Sequence, residues 1–272
     1  MDIHKETATY RVNKVFNLWS EALQRYVVVD FFVPPDFELH PASFPILVLN
    51  DGQDSETVKI LHALRQLGSQ KLIHLPIVIG IYAGNRKQEY GVASQADYKN
   101  RGSLAGTYTH FVMQELLPYA QKNYQININH PLNSIAGYSL GGLSAFDIAW
   151  HHAHVFKQVG VFSGAFWWRS EPVEVENPDE HRIMHQVIRN SAAKPDLRCW
   201  FQAGLLDETD DRNNNGIIDV IDDILDLSVA LVYKGFRPFY DFTYHEMPDG
   251  THDPPTWARA MPHFLRWAFG KK

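Results

Sequence analysis

A serine lies at the centre of residues 137–141, which read Gly-Tyr-Ser-Leu-Gly and match the pattern Gly-x-Ser-x-Gly. The run before this segment is typical of the end of a buried strand, and residues 142–150 after it have the apolar spacing of a helix. A sharp strand-to-helix turn raises the Ser139 oxygen clear of neighbouring side chains, and the glycines leave room for the tight backbone. The pattern indicates a nucleophilic serine, with the Leu140 N–H at a helix start where it could stabilise an oxyanion. Because Gly and Ser are common residues, a glycine-rich helix start in another α/β protein fits the pentapeptide alone equally well.

An acid and a histidine follow Ser139 in the chain order that a triad on such a turn requires. Asp207 comes shortly after a predicted strand at residues 198–204, and His252 follows a predicted strand at residues 239–247. Both fall beyond the carboxyl end of a strand, where open α/β sheets place their sites. We predict that Ser139 is the nucleophile, His252 the general base and Asp207 the acid. A loop histidine without a role is the alternative for His252 taken by itself.

The composition is that of a globular protein of 272 residues, which is long enough to bury a full core. The net charge of −6 comes from scattered charges of both signs, which argues against a nucleic-acid partner because phosphate contacts need a basic face. The sequence has no apolar run of roughly 18 residues, so no segment is expected to span a membrane. The N-terminal residues lack the basic and apolar regions of a signal peptide, which favours the cytoplasm, although a chain trimmed of its leader would look the same. The single cysteine, Cys199, rules out an internal disulfide and is expected to be buried.

Strands and helices alternate along most of the chain, which predicts an α/β fold with a mostly parallel sheet. Short continuous apolar runs at residues 45–50, 77–82 and 159–164 are typical of parallel strands that are buried on both faces. Residues 8–33 resemble two directly joined strands and are expected to form an antiparallel N-terminal edge. The whole chain, residues 1–272, is expected to be a single domain.

An insertion interrupts this alternation at residues 165–197, directly after a predicted strand. It begins with Trp167 and Trp168 and continues through an acidic loop into a short predicted helix at residues 180–191. Because the insertion follows the carboxyl end of a strand, we expect a small cap over the pocket, with both tryptophans lining the acyl or alcohol site. The alternative is that these two rings pack the cap onto the rest of the domain.

Residues 211–222 fit a calcium-binding loop of the EF-hand type. That template places oxygen-bearing side chains at positions 1, 3 and 5, glycine at 6, a backbone carbonyl at 7 and a carboxylate at 12. The candidate ligands, with position 9 included, are Asp211, Asn213, Asn215, Ile217, Asp219 and Asp222. Position 12 is Asp rather than Glu, as in dockerin-like loops. The alternative is a hydrophilic turn before the next helix, because Asn and Gly favour turns on their own. We expect Ca²⁺ as a structural ion and no cofactor for the chemistry.

Other polar clusters are weaker candidates for a site. The histidine-rich segment 151–154 could suggest a metal, but the polar end of the helix after the serine is the simpler interpretation. His181 and His185 have i, i+4 spacing on the predicted insertion helix and are expected to face solvent. Asp241 falls within a predicted strand and is expected at an edge or exposed position.

Further segments occur in order over nearly the whole chain. They are Val-Pro-Pro at 33–35, Leu-Asn-Asp-Gly-Gln at 49–53, Glu-Leu-Leu-Pro-Tyr at 115–119, Ala-Gly-Tyr-Ser-Leu-Gly-Gly at 136–142, Phe-Ser-Gly at 162–164, and Gly-Thr-His at 250–252 with Trp257. Together they resemble the esterase D-like branch of the α/β-hydrolases. This branch includes enterochelin and other siderophore esterases, feruloyl and acetyl-xylan esterases, S-formylglutathione hydrolase and mycolyltransferases. The resemblance implies an α/β-hydrolase fold.

The resemblance implies the same triad as the motif and adds an oxyanion hole, made by the N–H groups of Leu140 and Gln53. Asp207 has two acidic neighbours, Glu208 and Asp210, which are alternatives for the acid. A calcium loop directly behind the acid is not a general feature of this family.

We therefore predict a serine esterase that hydrolyses a small-molecule carboxylic ester through an acyl-enzyme. The long polar loop at residues 83–102 and the two insertion tryptophans would shape a pocket that suits a phenolic or sugar-linked ester. One alternative is an acyltransferase that uses the same triad and passes the acyl group to an alcohol. The second is a calcium-braced binding module without catalysis.

Overall fold

The computed structural model describes residues 10–271, whose main element is one eight-stranded sheet. The strands follow the order β1-β2-β4-β3-β5-β6-β7-β8 across the sheet. Their bounds are β1 Arg11–Ser20, β2 Arg25–Val33, β3 Ile46–Asn50, β4 Ile77–Ile81, β5 Ser134–Tyr138, β6 Gln158–Phe162, β7 Arg198–Leu206 and β8 Phe242–Thr251. The helices are α1 Ile60–Ser69, α2 Arg86–Glu89, α3 Ala105–His110, α4 Leu117–Tyr124, α5 Leu140–His151, α6 Ile183–Asn190, α7 Asp219–Tyr233 and α8 Pro254–Phe269. A π-helical segment, Phe111–Leu116, joins α3 to α4, and 3₁₀ turns occur at Phe37–Leu39, Pro41–Ser43 and Gly52–Asp54.

The sheet has an antiparallel edge and a parallel remainder. Strand β1 pairs antiparallel with β2, and β2 pairs antiparallel with β4, whereas the neighbouring pairs from β4 to β8 are parallel. This arrangement confirms the predicted α/β fold and its antiparallel N-terminal edge; residues 8 and 9 of the predicted first strand lie outside the described residues. Parallel strands end at the same edge of a sheet, so the segments that follow β3, β5, β7 and β8 can contribute to one site.

Helices cover both faces of the sheet, which explains why the central strands are apolar throughout. One buried cluster contains Phe146 of α5 and Ile224 of α7, and the other contains Leu64 of α1 and Phe264 of α8. Residues 140–150 of α5 are all buried, so the helix that follows the Gly-x-Ser-x-Gly segment lies inside the protein. Cys199 is also fully buried, as its strand position predicted.

The last two helices pack with one face against the core. The buried side of α8 includes Trp257 and Phe264. Within residues 10–271, no helix combines the length and the apolar character needed to cross a membrane.

The insertion helix differs from its prediction. Helix α6 begins at Ile183, so His181 precedes it. His185 is buried, and its Nε2 lies 3.0 Å from the Asp223 carbonyl oxygen of α7. The expectation that His185 faces solvent was wrong, because α6 packs its histidine-bearing side against α7. Burial lowers the pKa of His185 well below its ordinary value, and nearby arginines lower it further.

Asp241 also differs from its prediction. Strand β8 begins at Phe242, so Asp241 precedes the strand, and its side chain is buried. The carboxylate accepts hydrogen bonds from the Lys194 Nζ (2.7 Å) and from the Arg237 guanidinium (2.9 Å) and backbone N–H (2.9 Å). The Arg237 hydrogen bonds hold the pKa of Asp241 well below its ordinary value. The expectation of an exposed position was therefore wrong, because two cations compensate for the buried charge. The expected edge position is confirmed, since β8 is an edge strand of the sheet.

Candidate active site

Ser139 occupies the turn between β5 and α5 in a strained backbone conformation, with φ 52° and ψ −120°. Its N–H donates to the Phe162 carbonyl oxygen (2.9 Å), and its own carbonyl oxygen accepts from the Ala165 N–H (3.2 Å). A Cβ on Gly137 would lie 2.3 Å from the Gly141 carbonyl oxygen, so the turn has no room for a side chain there. A non-glycine residue with positive φ costs free energy and persists where the surrounding structure enforces it, which is common at functional sites. This strand–turn–helix geometry at Ser139, the elbow, is the one that the Gly-x-Ser-x-Gly pattern predicts.

The register of β7 and β8 places Asp207 beside His252. Leu206 and Thr251 are partners in the parallel pair and end their strands. Asp207 and His252 directly follow them in the chain. The His252 Nδ1 lies 3.8 Å from the Asp207 Oδ2. This separation is too long for a hydrogen bond, but catalytic hydrogen bonds are often long in the free enzyme.

The Asp207 carboxylate is buried without a hydrogen bond from the described residues. Its side chain is 0% exposed, and neither of its oxygens has a hydrogen-bond partner among the described residues. Burying a carboxylate without hydrogen-bond partners costs free energy, so the burial of the two Asp207 oxygens requires an explanation. The His252 side chain is 40% exposed, so its ring can contact both the buried carboxylate and a molecule from solvent.

Glu208 is engaged elsewhere. Its Oε1 accepts a hydrogen bond from the Val220 N–H (2.5 Å) in the first turn of α7. Burial raises the pKa of Glu208 to about 7, with further contributions from Asp219 and Asp210. The carboxylate that lies against His252 is therefore that of Asp207.

Trp257 connects the histidine to the elbow. Its ring packs edge-on against His252 (5.4 Å between centroids) and stacks on Tyr138 (4.9 Å), the residue before Ser139. Its Nε1 donates to the Ser163 Oγ at 3.0 Å. Trp257 therefore contacts the His252 ring and the residue before Ser139 at the same time.

The two predicted oxyanion N–H groups belong to segments that touch. Leu140 is the first residue of α5, where an N–H has no partner within the helix. Gln53 lies in the 3₁₀ turn after β3, and its N–H makes no hydrogen bond to the residues that the structure describes. Its side chain is held by Asp51 (Nε2 to Oδ1, 3.0 Å). The Asn50 Nδ2 donates to the Gly141 carbonyl oxygen (2.8 Å), which fastens the Gln53 turn to the start of α5.

Arg86 is a residue of this site that sequence reasoning missed. Its Nε and Nη2 donate to the two carboxylate oxygens of Asp51, each at 2.9 Å, and Nη2 also donates to the Tyr138 carbonyl oxygen at 3.1 Å. The available signal was weak: Arg86 lies in the long loop 83–102, which the sequence singled out only as a region that could shape a pocket.

The two insertion tryptophans occupy different environments. Trp168 is fully buried, and Cβ atoms on Gly91 and Gly102 would lie 3.2 and 2.9 Å from its ring. Trp167 is half-buried, and the Arg101 guanidinium lies 5.0 Å from the ring centroids of both tryptophans. Full burial favours the packing role for Trp168, whereas Trp167 keeps an accessible face.

Among the six predicted calcium ligands, Asn213 and Asn215 lie against Asp222, whereas Asp211 contacts backbone N–H groups. The Asp211 carboxylate accepts from the Asn215 and Gly216 N–H groups (3.1 and 2.9 Å). The side-chain amides of Asn213 and Asn215 lie 2.8 and 3.2 Å from the Asp222 carboxylate. Gly216 has φ +85°, the left-handed conformation that the template requires glycine to adopt at position 6.

Ile217 and Asp219 are the other two predicted ligands. The Ile217 N–H donates to the Asn215 side-chain oxygen (2.8 Å). The Asp219 carboxylate accepts the Arg212 N–H (2.9 Å) and lies 3.3 Å from the Arg212 guanidinium. That guanidinium also pairs with Asp179 of the insertion and with Asp223, both at 2.7 Å. An arginine therefore already supplies positive charge next to the loop.

Comparison with solved structures shows the fold. The chain is similar to a ferulic acid esterase, with a TM-score of 0.72, 18% identity, and coverage of 96% of this chain and 98% of that chain. The enterobactin esterase FES from Shigella flexneri, solved in the presence of 2,3-di-hydroxy-N-benzoyl-glycine, has a TM-score of 0.71, 19% identity, and coverage of 96% and 59%. An IroE-like serine hydrolase from Shewanella oneidensis has a TM-score of 0.69, 17% identity, and coverage of 94% and 80%. These similarities confirm the α/β-hydrolase fold that the resemblance implied.

Comparison by sequence shows the family. The chain is 24% identical over 145 residues to a Bacillus subtilis (strain 168) protein described as "Uncharacterized protein YbbA", a match that covers 51% of this chain and 57% of that protein. The chain thus spans less than two thirds of that relative, and of the FES chain. A family model described as "Putative esterase" matches residues 20–268, which is nearly the whole chain. The chain therefore belongs to this esterase family.

Proposed function

We propose that the protein is a serine carboxylic-ester hydrolase in which Ser139, His252 and Asp207 form the triad. The observation that carries the proposal is the buried Asp207 carboxylate, which has no hydrogen-bond partner in the described residues and lies 3.8 Å from His252. A non-catalytic binding module would gain nothing from this costly arrangement. The strained turn at Ser139 supports the same conclusion.

In the proposed reaction, the Ser139 Oγ attacks the ester carbonyl carbon while the His252 Nε2 accepts the serine proton. The N–H groups of Leu140 and Gln53 stabilise the resulting oxyanion. His252 returns the proton to the departing alcohol, which leaves the acyl group on Ser139. A water molecule, deprotonated by His252, then releases the acid and restores the serine. Throughout, Asp207 orients the imidazole and stabilises its charged form.

The substrate proposed is a small-molecule ester. A cavity of about 440 Å³ lies beside the Gln53 turn, and its lining includes Lys14 and Tyr82. None of Ser139, Leu140 and His252 lines this cavity, so it is not assigned to the ester. Two of the structural relatives are named ferulic acid esterase and enterobactin esterase. These names suggest that phenolic esters be tested first.

Hydrolysis is favoured over acyl transfer because the His252 side chain is 40% exposed, so water can reach the base. An acyltransferase has to keep water from the acyl-enzyme. Adding a series of alcohols during turnover and measuring the new esters distinguishes the two activities.

The test is turnover of acetyl, butyryl and feruloyl esters by the wild-type protein and by Ser139→Ala. We expect Ser139→Ala and His252→Ala to lose about four to six powers of ten in kcat. A fluorophosphonate should label the wild-type protein at Ser139 and should leave Ser139→Ala unlabelled. Substantial turnover by pure Ser139→Ala would contradict the proposal.

We also propose Ca²⁺ as a structural ion in the loop 211–222. The spacing of Asp211, Asn213, Asn215 and Asp222 along the loop supports it, since these residue types carry the oxygen ligands that Ca²⁺ prefers, and so does the left-handed φ of +85° at Gly216. Such an ion would stabilise the segment that follows Asp207 and take no part in ester cleavage.

A further inference from the structure

The Arg86 guanidinium bridges two separate segments of the proposed site. It binds both carboxylate oxygens of Asp51, which begins the Gln53 turn, and it binds the Tyr138 carbonyl oxygen next to Ser139. The Arg86 side chain is 35% exposed, whereas that of Asp51 is 2% exposed. The bridge therefore lies at the wall of the site, with the acid inside and the arginine at its boundary.

We propose that Arg86 is a positioning residue that sets the distance between the two oxyanion N–H groups. This inference rests on the proposed function, because it assigns the N–H groups of Gln53 and Leu140 to the oxyanion hole. Each N–H lies two residues along the chain from a residue that Arg86 binds, Asp51 for Gln53 and Tyr138 for Leu140. A shift of about 1 Å in catalytic groups can cost about a hundredfold in rate, so a rigid link between the two segments has value.

The Gln53 turn begins with a strained residue, Asp51, which Arg86 helps to hold. Asp51 has left-handed φ 58° and ψ 47°, which is unfavourable for a non-glycine residue. Its carboxylate accepts three hydrogen bonds in all, two from Arg86 and one from Gln53 Nε2, and its N–H donates to the Tyr90 hydroxyl (3.0 Å). Without Arg86, the carboxylate would lose two of these three donors.

The positive charge of Arg86 supports a second, electrostatic role in the oxyanion hole. A Cβ on Gly141 would lie 2.6 Å from the Asp51 Oδ2, so the buried carboxylate is next to the start of α5. An unpaired carboxylate at that place would oppose a negative charge that forms near the Leu140 N–H. The bidentate Arg86 contact neutralises Asp51 and so preserves the positive potential of the helix N-terminus.

The alternative is that Arg86 only anchors the 83–102 loop. Arg25 provides a matched control, because it pairs in the same bidentate manner with Glu89 of that loop (2.8 and 2.6 Å). The Glu89 side chain is 3% exposed, so this pair is as buried on its acidic side as the Arg86 pair. Arg25 makes no hydrogen bond to the Gln53 turn or to the elbow among the described residues.

The experiment compares the wild-type protein with Arg86→Met, Arg86→Lys and Arg25→Met. Measurements are kcat and KM for p-nitrophenyl acetate, the inhibition constant of a trifluoromethyl ketone that forms a tetrahedral adduct, the rate of fluorophosphonate labelling, and Tm. For Arg86→Met we expect kcat to fall about 10- to 100-fold with KM changed less than about threefold. The ketone should bind more weakly by a similar factor, because its adduct uses the oxyanion hole. Arg86→Lys should retain an intermediate kcat, since an ammonium keeps the charge but cannot make the same fork of hydrogen bonds.

The control should separate the two roles. Arg25→Met should lower Tm at least as much as Arg86→Met while its kcat stays within about threefold of the wild-type value. Equal losses of kcat in Arg25→Met and Arg86→Met would overturn the inference, as would an Arg86→Met protein with unchanged kcat and unchanged ketone affinity. If the wild-type protein neither hydrolyses any ester nor reacts with the fluorophosphonate, the proposed function fails and this inference fails with it. Activity that depends on Ser139 but not on Arg86 contradicts this inference alone.

Discussion

At the residue scale, two residues of the candidate site adopt states that cost free energy. Ser139 adopts a positive φ, and the Asp207 carboxylate is buried with no hydrogen-bond partner among the described residues. Both states cost free energy, and departures of this kind concentrate at functional sites. Nearby Glu208 shows the contrast, because its carboxylate accepts the Val220 N–H and supports the start of α7.

This difference predicts the effect of two neighbouring substitutions. Asp207→Asn should lower kcat for ester hydrolysis by about two to four powers of ten, because an amide cannot stabilise the charged imidazole. Its Tm should not fall, since the substitution removes a buried charge. Glu208→Gln should keep kcat within about tenfold, because the amide oxygen can still accept the Val220 N–H.

Steady-state kinetics and thermal melting of the two variants check this prediction. An unchanged kcat in Asp207→Asn together with a lost kcat in Glu208→Gln would show that the acid of the triad is Glu208 rather than Asp207.

At the element scale, α5 and the insertion both depend on the loop 83–102. The Asp147 carboxylate of α5 accepts the Ala93 N–H of that loop at 2.9 Å, and Trp168 of the insertion packs on its glycines. The elbow, the loop and the insertion therefore form one packed unit around Ser139.

The insertion tryptophans should respond differently to truncation. Trp168→Ala removes a fully buried ring and should cost about 3–5 kcal/mol of stability, with the ranking of acetyl, butyryl and aryl esters unchanged. Trp167→Ala removes a half-buried ring and should change Tm much less. Melting curves and relative kcat/KM values over the three esters measure both effects. A changed ester ranking with a nearly constant Tm in Trp168→Ala would restore the pocket role for that ring.

The end of α5 should confer a pH-dependent stability. A hydrogen bond to Asp147 raises the pKa of His151, so the protonated ring stabilises the folded state. This contribution is fully present below the ordinary histidine pKa of about 6.5 and is lost as the pH rises through the raised value. His151→Gln should therefore lower Tm more at pH 5.5 than at pH 9.

His152 is the control with the opposite sign. Burial lowers its pKa, and the neighbouring His154 and His151 lower it further, so its protonation opposes folding. His152→Gln should compare more favourably with the wild-type protein at pH 5.5 than at pH 9. The same trend with pH in both variants would contradict the assignment of these shifts.

At the scale of the whole molecule, the segment after Asp207 connects the insertion to α7. Arg212 pairs with Asp179 of the insertion and with Asp223 of α7, and Arg182 of the insertion also pairs with Asp223 (2.6 Å). We expect a cation bound in the loop 211–222 to act on the stability of this side of the protein.

Calcium should therefore raise the stability of the whole protein more than its activity. A ligand at about 100 times its dissociation constant adds about 2.7 kcal/mol, which for a domain of this size is a Tm increase of several degrees. Asp211→Ala should abolish the increase, whereas Asp196→Ala, which alters a 92% exposed carboxylate outside the loop, should keep it. Melting of metal-free protein with Ca²⁺ or with chelator measures the effect. Identical curves would favour a plain turn held by Arg212.

Much of the architecture could be predicted because it depends on local patterns. The short apolar runs that became β3, β4 and β6 are continuous because both faces of a parallel sheet are covered. Directly joined strands can pair only antiparallel, which defined the N-terminal edge. The positions of Ser139, Asp207 and His252 after strand ends followed from the same patterns. The predictions failed where burial depends on a distant partner, as for His185 against α7 and Asp241 against Lys194.

The sequence by itself thus determined the fold class, the elbow and the three candidate triad residues, because each is encoded within a few neighbouring positions. Tertiary structure alone decided which carboxylate faces His252, since this depends on the register that pairs Leu206 with Thr251. It alone placed Arg86 on Asp51 and Tyr138, which are 35 and 52 residues away along the chain. No local pattern records such contacts, because they arise only when the parallel strands bring their carboxyl ends to one edge of the sheet.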